Sequence, residues 1–415
     1  MTVAKSVPDS SLNDNIFASL VKDSDNQLVT YSDTSQGEIL DYIPTLIPSV
    51  DAVMLGGLPL SGRATEIFGD PNVGKSTLVA NLIYTGQKMG IVPVYFDVEG
   101  TTSRRRLDEL GVDTNHILTL KPKVDKKTGV VTPITIELIF NQILDISTKV
   151  HQQNPNLNLL FVWDTVAMTQ SAAVAGDDIG AQRVGNQAKS LTEGIRKVNA
   201  AMMVNNASLI ALNQARDDIG GNSFFGPQII TVGGKAWQHE MTLRLALTRS
   251  SAVKEGSGPT AVEIGHDVVI KFAKSKMGDN AGAKAKVTML QTSGFDIVYN
   301  TLNDAIDQGL FKKSGAYLAY GEGKDEQRKY KAAWYEFLQS DKGQPLYYKL
   351  WQELIKKLFP RIYPPLFNVH TPLTKEKFPM IDGLREYYIK IQEKFPDKEK
   401  SDAYLNWKEY GNGRK

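Results

Sequence analysis

Apolar runs along the chain alternate with helically spaced stretches between about Pro44 and Gln291. They run ATEIF, TLVANLIYTGQKM, PVYFDVE, ITIELIFNQILDI, LNLLFVWD, a long helical pattern from about Gln187, and SLIALNQ. Strand runs that stay apolar without alternating, separated by helices, predict a mostly parallel sheet covered on both faces. Ligands of such sheets sit at the C-terminal ends of the strands. From Met1 to about Tyr42 the chain is instead polar and rich in Ser, Asp and Asn, with one short stripe of Leu12, Ile16, Phe17, Leu20 and Val21 behind Ser10 and Ser11. Helical spacing behind a capping serine predicts a short helix, which must dock its stripe on its own domain or on a neighbouring protomer.

After about Gly321 the composition changes. Residues 322–415 hold 19 Lys or Arg against 14 Asp or Glu, and 17 of the chain's 36 aromatic residues. This predicts a small, mostly helical, mildly basic C-terminal domain whose aromatics serve chiefly as core. The organisation expected is therefore an N-terminal oligomerisation segment (1–45), an α/β core (46–293) and a C-terminal domain (294–415).

Composition narrows the chemistry. The 415 residues are 41% hydrophobic and 23% charged, with a net charge of +2. No cysteine is present, which excludes disulfides, thiolate metal sites and a catalytic thiol. The amino terminus lacks an apolar signal region and no window approaches a membrane span, so a cytoplasmic protein with no membrane partner is expected. Overall charge gives no argument for nucleic acid, and such a claim must come from local features.

The strongest local signal is Gly69-Asp70-Pro71-Asn72-Val73-Gly74-Lys75-Ser76, followed by Thr77, between the strand-like TEIF and a helical run. It matches GxxxxGK[ST], a phosphate cradle in which glycines curl the backbone so that N–H groups point inward and the next helix adds its positive end. Lys75 would reach the β- and γ-phosphates of ATP or dATP, and Ser76 would ligand Mg²⁺. A chance match in a chain of this length arises on the order of once in a hundred. The strand LLFVWD ends in Asp164, a candidate carboxylate for the metal. The strand VYFDVE offers Asp97 and Glu99 as candidates to activate water, and spacing alone does not choose between them.

The ordered set Ile43-Pro44-Thr45, Gly56-Gly57-Leu58-Pro59, Gly62-Arg63, the cradle, Phe96-Asp97-Val98-Glu99, Leu110-Gly111-Val112-Asp113, Val162-Trp163-Asp164-Thr165 and Leu212-Asn213-Gln214 resembles the RecA recombinases. Phe225-Gly226, Gly233-Gly234, Lys274-Ser275-Lys276, Gly294-Phe295-Asp296 and Gly315-Ala316-Tyr317 continue the match, which covers roughly residues 43–320. Its divergence suggests a phage-type or otherwise distant member, in a bacterial or phage-infected cytoplasm. The resemblance implies a RecA-type P-loop ATPase core, with Glu99 as the water-activating residue, Asp164 supporting Mg²⁺ and Gln214 sensing the γ-phosphate. It implies that Lys274 and Lys276 reach across a filament interface to the neighbour's nucleotide, as an arginine finger does.

Two segments correspond to the family's DNA-binding loops. The first spans about 171–189, with Gly176, Arg183, Gly185 and Lys189; the second spans about 216–237, with Arg216, Phe225, Gly226, Ile229, Ile230, Gly233, Gly234 and Lys235. Each is neutral by count, so glycine N–H groups would hold phosphates and apolar tips would wedge between bases. The chain departs from the family at the adenine site, where Ser103 and Arg106 stand and Arg106 could stack on the base. It departs again at His239, in place of an interface phenylalanine, and in its basic carboxyl end. The function implied is a DNA-dependent ATPase that forms helical filaments on single-stranded DNA and exchanges strands with homologous duplex. Loading or mediator proteins and a single-stranded DNA-binding protein are further partners implied. A hexameric replicative helicase on the same core is the alternative, and a scaffold using ATP only to assemble is a third reading.

Overall fold

Nine strands build the central sheet: β1 (Ala64–Gly69), β2 (Val92–Asp97), β3 (Leu118–Thr119), β4 (Leu159–Asp164), β5 (Ala207–Asp217), β6 (Ile229–Thr231), β7 (Leu243–Glu255), β8 (Val262–Ser275) and β9 (Lys284–Leu290). The computed structural model describes residues 42–54, 56–60, 62–175, 185–217, 229–256, 258–277 and 282–358. The amino-terminal stripe, Gly176, Arg183, Phe225, Gly226 and residues 359–415 lie outside the described residues.

The strands run in the order β9-β8-β7-β1-β5-β4-β2-β3, with β6 paired to the end of β5. From β7 to β3 every pairing is parallel. The antiparallel pairings β7–β8 and β8–β9 extend one edge, and β6 pairs antiparallel with β5. The α/β class with a mostly parallel sheet expected from the apolar runs is the fold observed.

Strand β4 shows why its sequence is apolar throughout. Leu160 and Val162 point into one hydrophobic cluster, with Leu78, Val79, Leu82 and Ile83 of helix α1 (Lys75–Lys88). Leu159, Phe161 and Trp163 point into the other, with Ile139 and Phe140 of α2 (Ile136–Gln153) and Leu191 and Ile195 of α3 (Asn186–Val204). A strand buried on both faces has no solvent side on which a polar alternation would be stable. Trp163, fully buried, meets Phe140 and Trp237 edge-on at 5.4 and 6.2 Å between ring centres.

Helices α4 (Gly234–Glu240), α5 (Ile297–Asp307), α6 (Lys331–Gln339) and α7 (Gln344–Leu358) follow along the chain, with shorter helices and small sheets between the main elements. Trp334, Leu338, Tyr347, Leu350 and Trp351 join the same cluster as α1, and the Trp351 indole donates to the Leu46 carbonyl. These aromatics are core, as a segment rich in large side chains predicts.

Candidate functional site: a phosphate cradle at the sheet rim

Parallel register fixes which residues meet at the C-terminal rim. Gly69 at the end of β1 lies opposite Gln214 in β5, and Asp97 at the end of β2 lies opposite Asp164 at the end of β4. Four sequence-predicted residues thus share one edge, because β1, β2 and β4 end there and β5 runs past it to Asp217.

The turn from β1 into α1 has the local chemistry of an anion nest. Asn72 and Gly74 sit at positive φ, 59° and 103°, so the intervening N–H groups turn to the same side. Helix α1 then starts at Lys75 without a side-chain cap, whereas α2 and α5 carry Thr135 and Asp296 as caps. An uncapped helix start whose first donors face a nest is complementary to a phosphate. Gly74 also has no room for a side chain, since a Cβ there would meet Met289 Sδ at 2.6 Å. The ammonium of Lys75, nearly buried, donates to the carbonyls of Gly69 (2.9 Å) and Asp70 (2.8 Å). Burial holds that ammonium below its ordinary pKa, against the attraction of Asp164, Glu99 and Asp70.

Beside the cradle, the Ser76 hydroxyl donates to Asp164 Oδ2 at 3.0 Å and the Tyr95 hydroxyl donates to the same oxygen at 2.8 Å. Burial pushes the Asp164 carboxyl above the usual carboxylate range, although both hydrogen bonds pull it down. A buried carboxylate beside a hydroxyl and an anion nest fits a Mg²⁺ ion, which Ser76 and Asp164 would hold and which would neutralise phosphate charge.

Geometry separates the two acidic candidates that spacing could not. Asp97 accepts from the backbone N–H groups of Gly100 (2.8 Å) and Thr102 (3.1 Å), so both of its oxygens hold the turn after β2. Glu99 lies beyond the strand, and its Oε1 accepts from the Thr165 hydroxyl at 2.8 Å. Its second oxygen makes no hydrogen bond among the described residues. The Thr169 hydroxyl in turn donates to the Thr165 carbonyl and accepts from the Trp163 indole, which anchors the residue that orients Glu99.

Near the residues expected to line the base, Ser103 caps the short helix Arg104–Glu109. Arg106, in that helix, donates to the Thr292 carbonyl at 2.7 Å and pairs with Glu109 at 3.5 Å. A Cβ at Gly294 would meet Thr77 Cγ2 and Leu110 Cδ2, so Thr77, Leu110, Gly294 and Arg106 form one wall.

Lys274 and Lys276 lie elsewhere. Leu243 pairs with both Thr65 and Ser275, which puts the end of β8 beside the start of β1, at the opposite end of the sheet from this chain's own cradle. Lys274 donates to the carbonyls of Gln238 and His239, and Lys276 is exposed. Gly185 and Gly233 stand at positive φ as the residues before α3 and α4, and Lys189 makes a long, exposed contact with Glu193. Arg216 pairs with Ile230 and Asp217 with Ile229, so β6 closes the base of the second loop segment. Gly234 and Lys235 open α4.

Sequence reasoning passed over a buried polar group beneath this segment. Glu66, fully buried in β1, accepts from Arg244 Nε, from the Asn213 amide (2.8 Å) and from the Trp237 indole (3.1 Å). Arg244 reaches on to the Thr231 hydroxyl at 3.0 Å, and the Asn213 carbonyl oxygen accepts from the Gln214 N–H. The signal was in view: a glutamate inside the run TEIF demands a buried partner.

The chain matches the RecA N-terminal domain family over residues 25–300. It is 30% identical over 298 residues to protein RecA of Thermus aquaticus, covering 71% of this chain and 80% of that protein. With protein RecA of Aquifex aeolicus it shares 30% identity over 305 residues, 70% of this chain and 79% of the relative. For the Acidothermus cellulolyticus protein RecA the figures are 28% over 305 residues, 70% and 79%. A family match across most of the chain, on a sheet whose rim carries the cradle, means that the chain belongs to the RecA family.

Proposed function

We propose that this chain is a Mg²⁺-dependent, DNA-stimulated ATPase that assembles as a helical filament on single-stranded DNA, pairs that strand with homologous duplex and exchanges strands. The observation that carries the reading is the split of the machinery across the sheet. The cradle, Ser76, Asp164 and Glu99 sit at one end, and Lys274 and Lys276 sit at the other. Two cations at the far end of the sheet from their own cradle would serve a neighbour's, and that arrangement supports the reading that hydrolysis depends on assembly.

Each residue then has a task. Lys75 exchanges its loop carbonyls for phosphate oxygens, Ser76 and Asp164 hold the metal, and Glu99, oriented by Thr165, accepts a proton from water. Mg²⁺ held by Ser76 and Asp164 would supply charge neutralisation at the phosphates. Arg106 and Thr77 line the base. Gln214, in register with Gly69, senses the γ-phosphate and passes its state along β5 to the second loop segment. The segments 171–189 and 216–237 grip the DNA backbone, and base pairing supplies sequence recognition.

The test is strand exchange between circular single-stranded DNA and homologous linear duplex, with ATP and Mg²⁺. Joint molecules from homologous but not heterologous duplex are the expected result. ATP-driven unwinding of a forked duplex without pairing would move the assignment to a helicase.

A further inference from the structure

Between β3 and α2 the chain makes a β-hairpin that none of the foregoing uses. Lys123 pairs with Thr132 and Val124 with Val131. Side chains alternate across a strand, so Lys123 and Thr132 share one face of the ribbon and Val124 and Val131 share the other. Asp125 closes the tip. Its N–H donates to the Val130 carbonyl, and its carboxylate accepts from the N–H groups of Lys127 (2.7 Å) and Thr128 (3.1 Å). Gly129, at φ 73°, completes the turn. The single acid of the hairpin is therefore engaged by its own backbone, while Lys126 and Lys127 project at the tip.

Every residue from Lys121 to Pro133 is exposed. Val124 and Val131 are 55 and 57% exposed, an apolar face that no described residue covers, and Val130 beside them is 61% exposed. None of Lys121, Lys123, Lys126 and Lys127 is paired with a carboxylate among the described residues. A two-stranded ribbon has little stability of its own, so a cationic, apolar-faced one projecting into solvent is fitted to a partner that covers it.

Its place in the fold says which partner. The hairpin leaves from β3, whose Thr119 pairs with Tyr95, on the rim where β2 and β4 end. It returns at Thr135, which bridges to Gln170, and Ile136 N–H donates to the Gln170 carbonyl at 3.0 Å. One residue on, the Glu137 carboxylate accepts from the Ala172 N–H and the Ser190 hydroxyl, both at 2.7 Å. Both stems of the 171–189 segment are thus tied to the root of the hairpin.

We propose that the hairpin is an additional contact for single-stranded DNA, its lysines on successive phosphates and its valine face against unpaired bases. Four unpaired cations complement a phosphate chain, and an apolar face has a counterpart in the exposed bases of a single strand, which a duplex hides in its stack. The inference rests on the reading of this chain as a single-stranded DNA-binding protein.

Fluorescence anisotropy of a labelled oligonucleotide tests it on the full chain, across a salt series, with Mg²⁺ and a non-hydrolysable ATP analogue. A duplex of equal length serves for comparison. The variants are Lys121→Gln/Lys123→Gln/Lys126→Gln/Lys127→Gln and Val124→Ser/Val131→Ser. All six positions are exposed, and thermal melts check that both variants fold. The lysine variant is expected to bind single strands at least about tenfold more weakly near 0.1 M salt and to flatten the log–log salt slope by about 3, at roughly 0.7 for each of the four lost phosphate contacts. The valine variant is expected to weaken single-strand binding with the slope unchanged, and neither variant to alter duplex affinity. Unchanged single-strand binding overturns the proposal, as does an equal loss on duplex. Impaired self-assembly with intact DNA binding overturns it in favour of a protomer contact. Failure of the unsubstituted protein to bind single strands instead removes the functional reading beneath it.

Discussion

The ammonium of Lys274 donates to the carbonyls of Gln238 (2.7 Å) and His239 (2.8 Å), in the last turn of the helix that Gly233 and Gly234 start at the second loop segment. A cation on terminal carbonyls is well placed against the negative end of a helix. Burial, and then Lys276 and Arg244 nearby, pull this ammonium from 10.5 to about 8. Between those two values the unfolded chain holds the proton and the folded one has released it. Lys274 therefore makes stability rise with pH across that window, while its cationic form disappears. If the cation serves a neighbour's phosphates, ATP hydrolysis falls above about pH 8. Lys274→Arg, which stays charged, is expected to extend activity to higher pH. A pH–rate profile of both proteins checks this, and coincident alkaline limbs would contradict it.

Glu99 and Asp97 are two residues apart and held for different purposes. Glu99→Gln is expected to lower hydrolysis by roughly 10²–10⁴ with nucleotide affinity preserved. Asp97→Asn removes one of two acceptors from the turn after β2, at about 1–2 kcal/mol of stability and a smaller loss of rate. Steady-state ATPase, nucleotide titration and thermal melts on both variants separate the two roles.

Tyr95 touches the proposed metal site only through Asp164. Tyr95→Phe leaves the ring packing and deletes the bond to Oδ2, which is expected to raise the Mg²⁺ concentration for half-maximal ATPase about tenfold while sparing the saturated rate. A Mg²⁺ titration checks it, and an unchanged midpoint would show that Ser76 alone orients the carboxylate.

The pair Glu66–Arg244 binds strands β1 and β7 to the second loop segment. Arg244→Ala leaves a buried carboxylate and is expected to cost about 3–5 kcal/mol, whereas Glu66→Leu/Arg244→Leu together cost much less than the sum of the single changes. Urea unfolding of the three variants measures the coupling.

Much of this was legible in the sequence because it rests on local chemistry. The cradle is a contiguous motif, and LLFVWD is apolar throughout because both faces of β4 are buried. Long-range pairing is not written locally. Nothing in Lys274 itself announces that β8 runs antiparallel and carries it to the far end of the sheet. The antiparallel edge of β8 and β9 alternates buried and exposed residues and leaves a weaker apolar signal than the parallel strands. The 121–133 hairpin has two-residue strands, too short for any periodicity. The task of Asp97 became visible only once the turn after it was built, because its partners are backbone N–H groups that every residue carries.

Steady-state ATP hydrolysis, with and without single-stranded DNA, tests the central claim most directly. The account predicts a rate that single-stranded DNA raises several-fold, that Glu99→Gln abolishes, and that Lys274→Ala strongly reduces although Lys274 lies far from its own chain's cradle. Hydrolysis indifferent to single-stranded DNA, or undiminished by Lys274→Ala, would contradict it.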